Sequence, residues 1–220
     1  MMRPIWGIVA RDVRLSLFRS ESLALSLTFG VLVVLVFALA GDPTKLGEEA
    51  KSGVIWCGFA FSTVVTLTGS FRRERESGGM ELMRLAGLSA EAIYIGKLIS
   101  GFISSSASNL VIGAAGGVML GLKADLGGLL RLCLIAALGT LGICVTGTLV
   151  AAISSELRGG EGLLVALLMP LLFPVVIASA KSFGLILLGE GLSLKWLGVE
   201  IAYAAMFLII SLLLFEEVIE

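Results

Sequence analysis

The residues best equipped for chemistry lie in one stretch, Phe71-Arg72-Arg73-Glu74-Arg75-Glu76-Ser77-Gly78-Gly79-Met80-Glu81-Leu82-Met83-Arg84-Leu85-Ala86-Gly87-Leu88-Ser89. Its arginines and glutamates sit between two apolar segments of membrane-spanning length. A charge at the bilayer centre costs about 2.5–3.5 kcal/mol even on insertion scales, so the run is expected to project into water. Gly78-Gly79 is expected to break a helix leaving the membrane, Met80 to Ala86 to form a short helix, and Gly87 to stop it. Met80, Leu82, Met83 and Leu85 are apolar there, while Glu81 and Arg84 stand three apart and are able to pair. A solvated loop needs no apolar residues. Their presence points to docking of a cytoplasmic partner, with Arg73, Arg75, Glu76, Gly79, Glu81, Leu82, Met83 and Arg84 as the contact set. Ser89 suits the cap of the next helix and Glu91 its positive first turn.

Other chemistries find no residues to carry them. The chain has no histidine, which removes the commonest general base, metal ligand and axial haem ligand. Cys57, Cys133 and Cys144 form no C-x-x-C pair and read as buried apolar residues. Cys133 and Cys144 would be about 16 Å apart along one helix, too far to bridge. The nearest string to a phosphate-binding loop, Gly116 to Lys123, has Leu122 between its glycine and lysine. No intramembrane acid relay and no paired carboxylates are apparent. The expectation is a non-catalytic subunit that binds no cofactor or metal and takes its energy from another chain. The net charge of −1 says nothing about nucleic acid, but the chain has no basic domain to bind it, so no nucleic-acid partner is expected.

The elements that must position the stretch are membrane helices. The chain is 57% hydrophobic and 15% charged over 220 residues, with mean hydropathy +1.04. Soluble domains carry roughly 25% charged residues. The reading is an all-α polytopic membrane protein of one domain, 1–220, lying in membrane lipid. Residues 3–20 form an amphipathic interfacial helix, with Trp6, Val9, Val13 and Leu17 on its apolar face and Arg11, Asp12 and Arg14 away from it. Six spans follow at about 23–40, 54–71, 95–122, 132–153, 162–180 and 197–215, with a polar loop at 72–93. Pro170 and Pro174 are expected to kink the fifth span. Residues 181–196 read as a re-entrant or interfacial segment, since six apolar residues cannot cross a bilayer. Gly113, Gly117 and Gly121, and Gly139 with Gly142, read as small-residue stripes for close helix packing. The densest Arg clusters, at 3–19 and 72–84, fall on one side of a six-span topology. The positive-inside rule puts them and both termini in the cytoplasm.

This arrangement resembles the permease subunit of ABC-2 type exporters, and more closely the haem exporter protein B (CcmB) family of cytochrome c maturation. The matching residues are Arg11-Asp12-Val13-Arg14-Leu15, then Phe71 with Arg73-Glu74-Arg75-Glu76-Ser77-Gly78 and Glu81, then Tyr94-Ile95-Gly96-Lys97. Gly139-Thr140-Leu141-Gly142 followed by Gly147-Thr148-Leu149, Met169-Pro170-Leu171-Leu172-Phe173-Pro174 and the closing Glu216-Glu217 match as well. The chain has Gly79 where the family usually has Thr, and Gly87 near its usual Pro. The resemblance implies an ABC-2 permease fold in the bacterial inner membrane and a coupling helix in the 72–93 loop. It implies a cytoplasmic ATPase that binds the ATP, a haem-handling membrane protein, a further small membrane protein and a periplasmic haem chaperone. Haem is then handled by the complex. Two other readings stay open: an ABC-2 permease for a drug, lipid or polysaccharide, and a mechanical subunit that moves nothing itself.

Overall fold

A computed structural model describes residues 2–18, 21–156 and 160–219. Among the described residues there are eight helices and no strand. They are α1 (Met2–Phe18), α2 (Glu21–Ala40), α3 (Glu48–Ser77), α4 (Gly79–Leu85), α5 (Ala90–Met119), α6 (Leu126–Glu156), α7 (Gly160–Leu187) and α8 (Leu194–Ile219). All but α1 and α4 are long and apolar enough to cross a membrane.

The bundle is built round α3, which packs on α2, α5, α6 and α7. Two-thirds of its span, 67%, is buried, against 17% for α2 and for α8 at the periphery. Lipid is as apolar as leucine, so close approach of backbones has to hold such helices together. Gly139 of α6 shows how. A Cβ there would stand 2.3 Å from Trp56 Cη2 and 2.4 Å from Ser179 Oγ. Trp56 cannot retreat, because Phe59 and Phe183 stand edge-on to it at 5.2 and 5.8 Å. Gly142 admits Val175, and Gly113 admits Phe59. Gly117 and Gly121 depart from the packing expectation: nothing lies within 4 Å of the Cβ position of either, and Gly121 falls beyond the end of α5.

Span boundaries shift at three places. The second span was expected to end at 71, yet α3 continues to Ser77, so Arg72 to Glu76 are helical. Thirty residues make about 45 Å of helix, some 15 Å more than a bilayer core of about 30 Å. α5 begins at Ala90, five residues before the expected third span. Within the 181–196 segment, residues 181–187 continue α7, which runs unbroken through Pro170 and Pro174 to Leu187, and residues 188–193 form the turn before α8. Phe183 and Ile186 are buried in the core, and Lys181 reaches Glu49 of α3 at 3.0 Å from within the helix. A lysine that reads as the end of a span is thus a side chain stretching to its edge.

Local signals explain the turns. Gly78 takes φ 64° and donates back to the Arg75 carbonyl, ending α3 in a left-handed cap. Gly87, φ 71°, lets Leu88 N–H reach Met83 O at 3.2 Å and ends α4 the same way. Ser89 Oγ accepts Ala92 N–H at 3.4 Å and starts α5. Between α2 and α3 the Thr44 hydroxyl and N–H both donate to Asp42, which holds that carboxyl below its ordinary range.

Gly139→Ala should therefore destabilise the bundle by about 1–3 kcal/mol, the usual range for overpacking. Gly198→Ala, where nothing lies within 4 Å, serves as control. Thermal unfolding in detergent reads the difference, and equal midpoints for the two variants would refute this account of the packing.

Candidate functional site

α1, α3 and α5 meet at the α4 end of the bundle round a buried ionic cluster. Lys97 on α5 is 2% exposed, Glu74 on α3 4% and Asp12 on α1 6%. Lys97 Nζ lies 2.7 Å from Asp12 Oδ2 and is also bonded to Glu74 Oε2. Arg11, partly exposed, contacts Asp12 Oδ1 at 3.1 Å and Glu74 Oε1. Two carboxylates thus face two cations, with Arg73 close enough for its charge to act on Asp12 and Lys97. The Phe71 ring, 5.5 Å from Lys97 Nζ, closes the apolar side. α1 can reach this point because a Cβ on Gly96 would stand only 3.0 Å from Ile8 Cγ2.

Burying charge is tolerable only when partners replace water. Here each charge is met from a different helix, so the cluster fixes how α1 lies across the ends of α3 and α5. It is also joined to α4. Glu74 Oε1 lies 2.8 Å from where a Cβ on Gly79, the first residue of α4, would stand. Any side chain at 79 would displace the carboxylate that holds Lys97.

α4 itself is two-faced. Met83 is 6% exposed and joins the core, with Met80 packed beside it. Leu82 and Leu85 face outward at 64% and 79% exposure, next to exposed Glu81. Of the expected contact set, Arg75, Glu76, Glu81 and Leu82 are exposed, Arg73 is half-buried, and Gly79 and Met83 are buried. Glu76 pairs with Arg72 at 3.9 Å, and Arg73 feels the charge of Asp12. The Arg84 side chain, and hence its pairing with Glu81, lies outside the described residues. Leu85 belongs with Leu82 on the outer face, although the expected set left it out.

Two expectations are corrected here. Asp12 was placed away from the apolar face of the first helix, with Arg11 and Arg14, yet it is buried together with Ile8, Val9 and Ser16. Glu74 was placed in a solvated loop and is buried. In both cases a partner outweighs the polarity that suggested exposure.

A second polar contact lies deeper. Asn109 of α5 donates to Thr63 of α3 at 3.2 Å and to Thr140 of α6 at 3.0 Å. It floors a groove of about 770 Å³ between α5 and α6, lined by Leu110, Gly113, Gly117, Gly121, Leu129 and Cys133, with Lys123 at the end away from α4. This is where Gly117 and Gly121 lie.

The CcmB protein family matches residues 3–215. The chain belongs to the CcmB family. Relatives named heme exporter protein B share this sequence along most of its length. That of Pseudomonas aeruginosa is 30% identical over 171 residues, 77% of this chain and 76% of the relative. That of Rhodobacter capsulatus is 28% identical over 176 residues, 80% of each chain. That of Bradyrhizobium diazoefficiens is 24% identical over 189 residues, 86% of this chain and 84% of the relative. Three of the strings that carry the CcmB resemblance each supply one member of the ionic cluster: Asp12, Glu74 and Lys97. Sequence reasoning had all three in hand. It missed their meeting because Asp12 is 85 residues from Lys97 and Glu74 lies on another helix.

Lys97→Met leaves two buried carboxylates facing each other and should cost about 3–5 kcal/mol, as removal of one partner from a buried pair does. Adding Glu74→Gln should recover part of that loss. Denaturant unfolding of the two single variants and the double variant closes the cycle. Strictly additive losses would show that the groups do not act as one cluster.

Proposed function

We propose that this chain is the membrane subunit of an ABC system for haem export in cytochrome c maturation, and that a separate ATPase docks on α4 from the cytoplasm. The observation that carries the docking is the outward face of α4: two exposed leucines in an acidic and basic surround, on a seven-residue helix. Exposed apolar side chains at the water-facing end of a membrane bundle mark a protein contact. The arginine-rich ends of α1 and α3 lie with α4, so the positive-inside rule supports a cytoplasmic α4 with both termini on that side of the inner membrane.

Force applied to α4 has a short route inward. Met83 anchors the helix in the core, and its first residue abuts Glu74. Through Glu74 and Lys97 the push reaches α1, α3 and α5 together. The chain's part is mechanical coupling; hydrolysis and the ATP belong to the partner, and no catalytic role falls to this subunit. The resemblance extends the partnership to a haem-handling membrane protein, a further small membrane protein and the periplasmic haem chaperone.

Replacing Leu82 and Leu85 with Asp should abolish co-purification with the ATPase while leaving membrane insertion intact. Met83→Ala should instead lower thermal stability, because that side chain packs inward. Undiminished co-purification of the Leu82/Leu85 variant would sink the docking reading.

Haem iron usually takes His, Met, Cys or Tyr as a ligand, and this chain has no His. Haem in the assembled complex is accordingly ligated by another protein of the system. The chain purified alone from haem-replete cells should show no Soret band at one haem per chain. A stoichiometric band, lost on substituting one Met or Cys, would refute this.

A further inference from the structure

We propose that the seam between α7 and α8 is a proton-binding site, in which Glu200 carries a proton and shares it with the hydroxyls of Ser179 and Ser182. Glu200 lies six residues into α8, about 9 Å along the helix, within an apolar span. It is fully buried, with 0% exposure. Among the described residues neither carboxyl oxygen has a hydrogen-bond partner, and neither has the hydroxyl of Ser179 or Ser182 on the facing helix. Those two hydroxyls lie close enough to the carboxyl to act on it, though not at hydrogen-bonding geometry. Ser179 and Ser182 are themselves 0% and 1% exposed.

A carboxylate in such a place needs a counter-charge. α8 packs on α5, α6 and α7. On α7, Lys181 is committed to Glu49. On α6, Arg131 approaches Gly191 in the turn before α8. The charged residues of α5, Glu91 and Lys97, are at the opposite end, and Lys97 belongs to the ionic cluster. On α8 itself Lys195 sits over the Trp196 ring at 5.1 Å. Tyr203 binds Thr146 and Leu171. Tyr94 donates to the Val145 carbonyl at 3.1 Å. Among the described residues no cation pairs with Glu200.

A single proton resolves all four orphaned oxygens. The protonated carboxyl donates to one serine, and its carbonyl oxygen accepts from the other. A metal ion fits less well, since hard cations take roughly six or more oxygens and the seam offers four from side chains. Loss of the proton leaves an uncompensated charge between α7 and α8. The site is independent of ATPase docking and lies in the opposite half of the bundle.

The test is infrared difference spectroscopy on the full chain in lipid nanodiscs. Wild type should show a protonated-carboxyl C=O stretch that shifts in D₂O and is absent from Glu200→Gln. Ser182→Ala, which keeps the acid and removes one hydroxyl, should move the band, so the site stays testable if the Gln variant fails to fold. Because the folded state holds the proton, wild type should also lose thermal stability as pH rises, in a step that Glu200→Gln lacks. Carboxylate bands alone from Glu200, or a sodium-specific stabilisation lost in Glu200→Gln, would overturn the proposal.

Discussion

Lys97 must be neutralised where it stands, and the architecture of the α4 end follows from that. An ammonium buried to this degree has lost its water. It keeps its charge only because Asp12 comes from α1 and Glu74 from α3. Arg11 then balances the second carboxylate. None of the three helices can shift alone without stranding a charge. The cost of that stranding is far larger than a surface ion pair would impose. The joint therefore behaves as one unit, and Gly79 places the start of α4 against it.

Away from that joint the bundle is held by shape. Gly30 and Gly58 face each other across α2 and α3, Gly101 and Gly147 admit Leu67, and Gly139 admits Trp56. Several serine and threonine hydroxyls return to their own helices: Thr66 to Ser62 O, Ser100 to Lys97 O, Ser108 to Ser104 O. Such bonds satisfy the hydroxyl without adding much between helices. α3 is continuous from Glu48 to Ser77 and is the most deeply buried of the six spans.

Much of this was legible in the sequence because its signals are local. Span number follows from hydropathy, and Gly78, Gly87 and Ser89 fix the ends of α3 and α4 and the start of α5 through the backbone geometry they allow. What was not legible depends on partners far along the chain. Asp12 looked solvent-facing because its partner, Lys97, is 85 residues away. Lys181 looked like a boundary because its salt bridge to Glu49 is invisible locally. Glu200 sat unremarked in an apolar run because one acid is no relay. The stripe of Gly113, Gly117 and Gly121 has the right period for packing, yet period alone does not say which face meets a neighbour. Phe59 meets Gly113, and the groove takes the other two.

The groove bears on whether the chain conducts anything. Its walls run from Ser106 to Ala124 on the α5 side and from Leu129 to Thr140 on α6. Asn109, tied to Thr63 and Thr140, closes its inner end. From Lys97 to Asn109 is twelve residues, about 18 Å of helix. Over that distance Ser100, Ser104, Ser105 and Ser108 are buried against neighbouring helices. The described groove thus reaches only partway along α5, from the Lys123 end to Ser106. The packed serines separate the ionic cluster at Lys97 from the groove floored by Asn109.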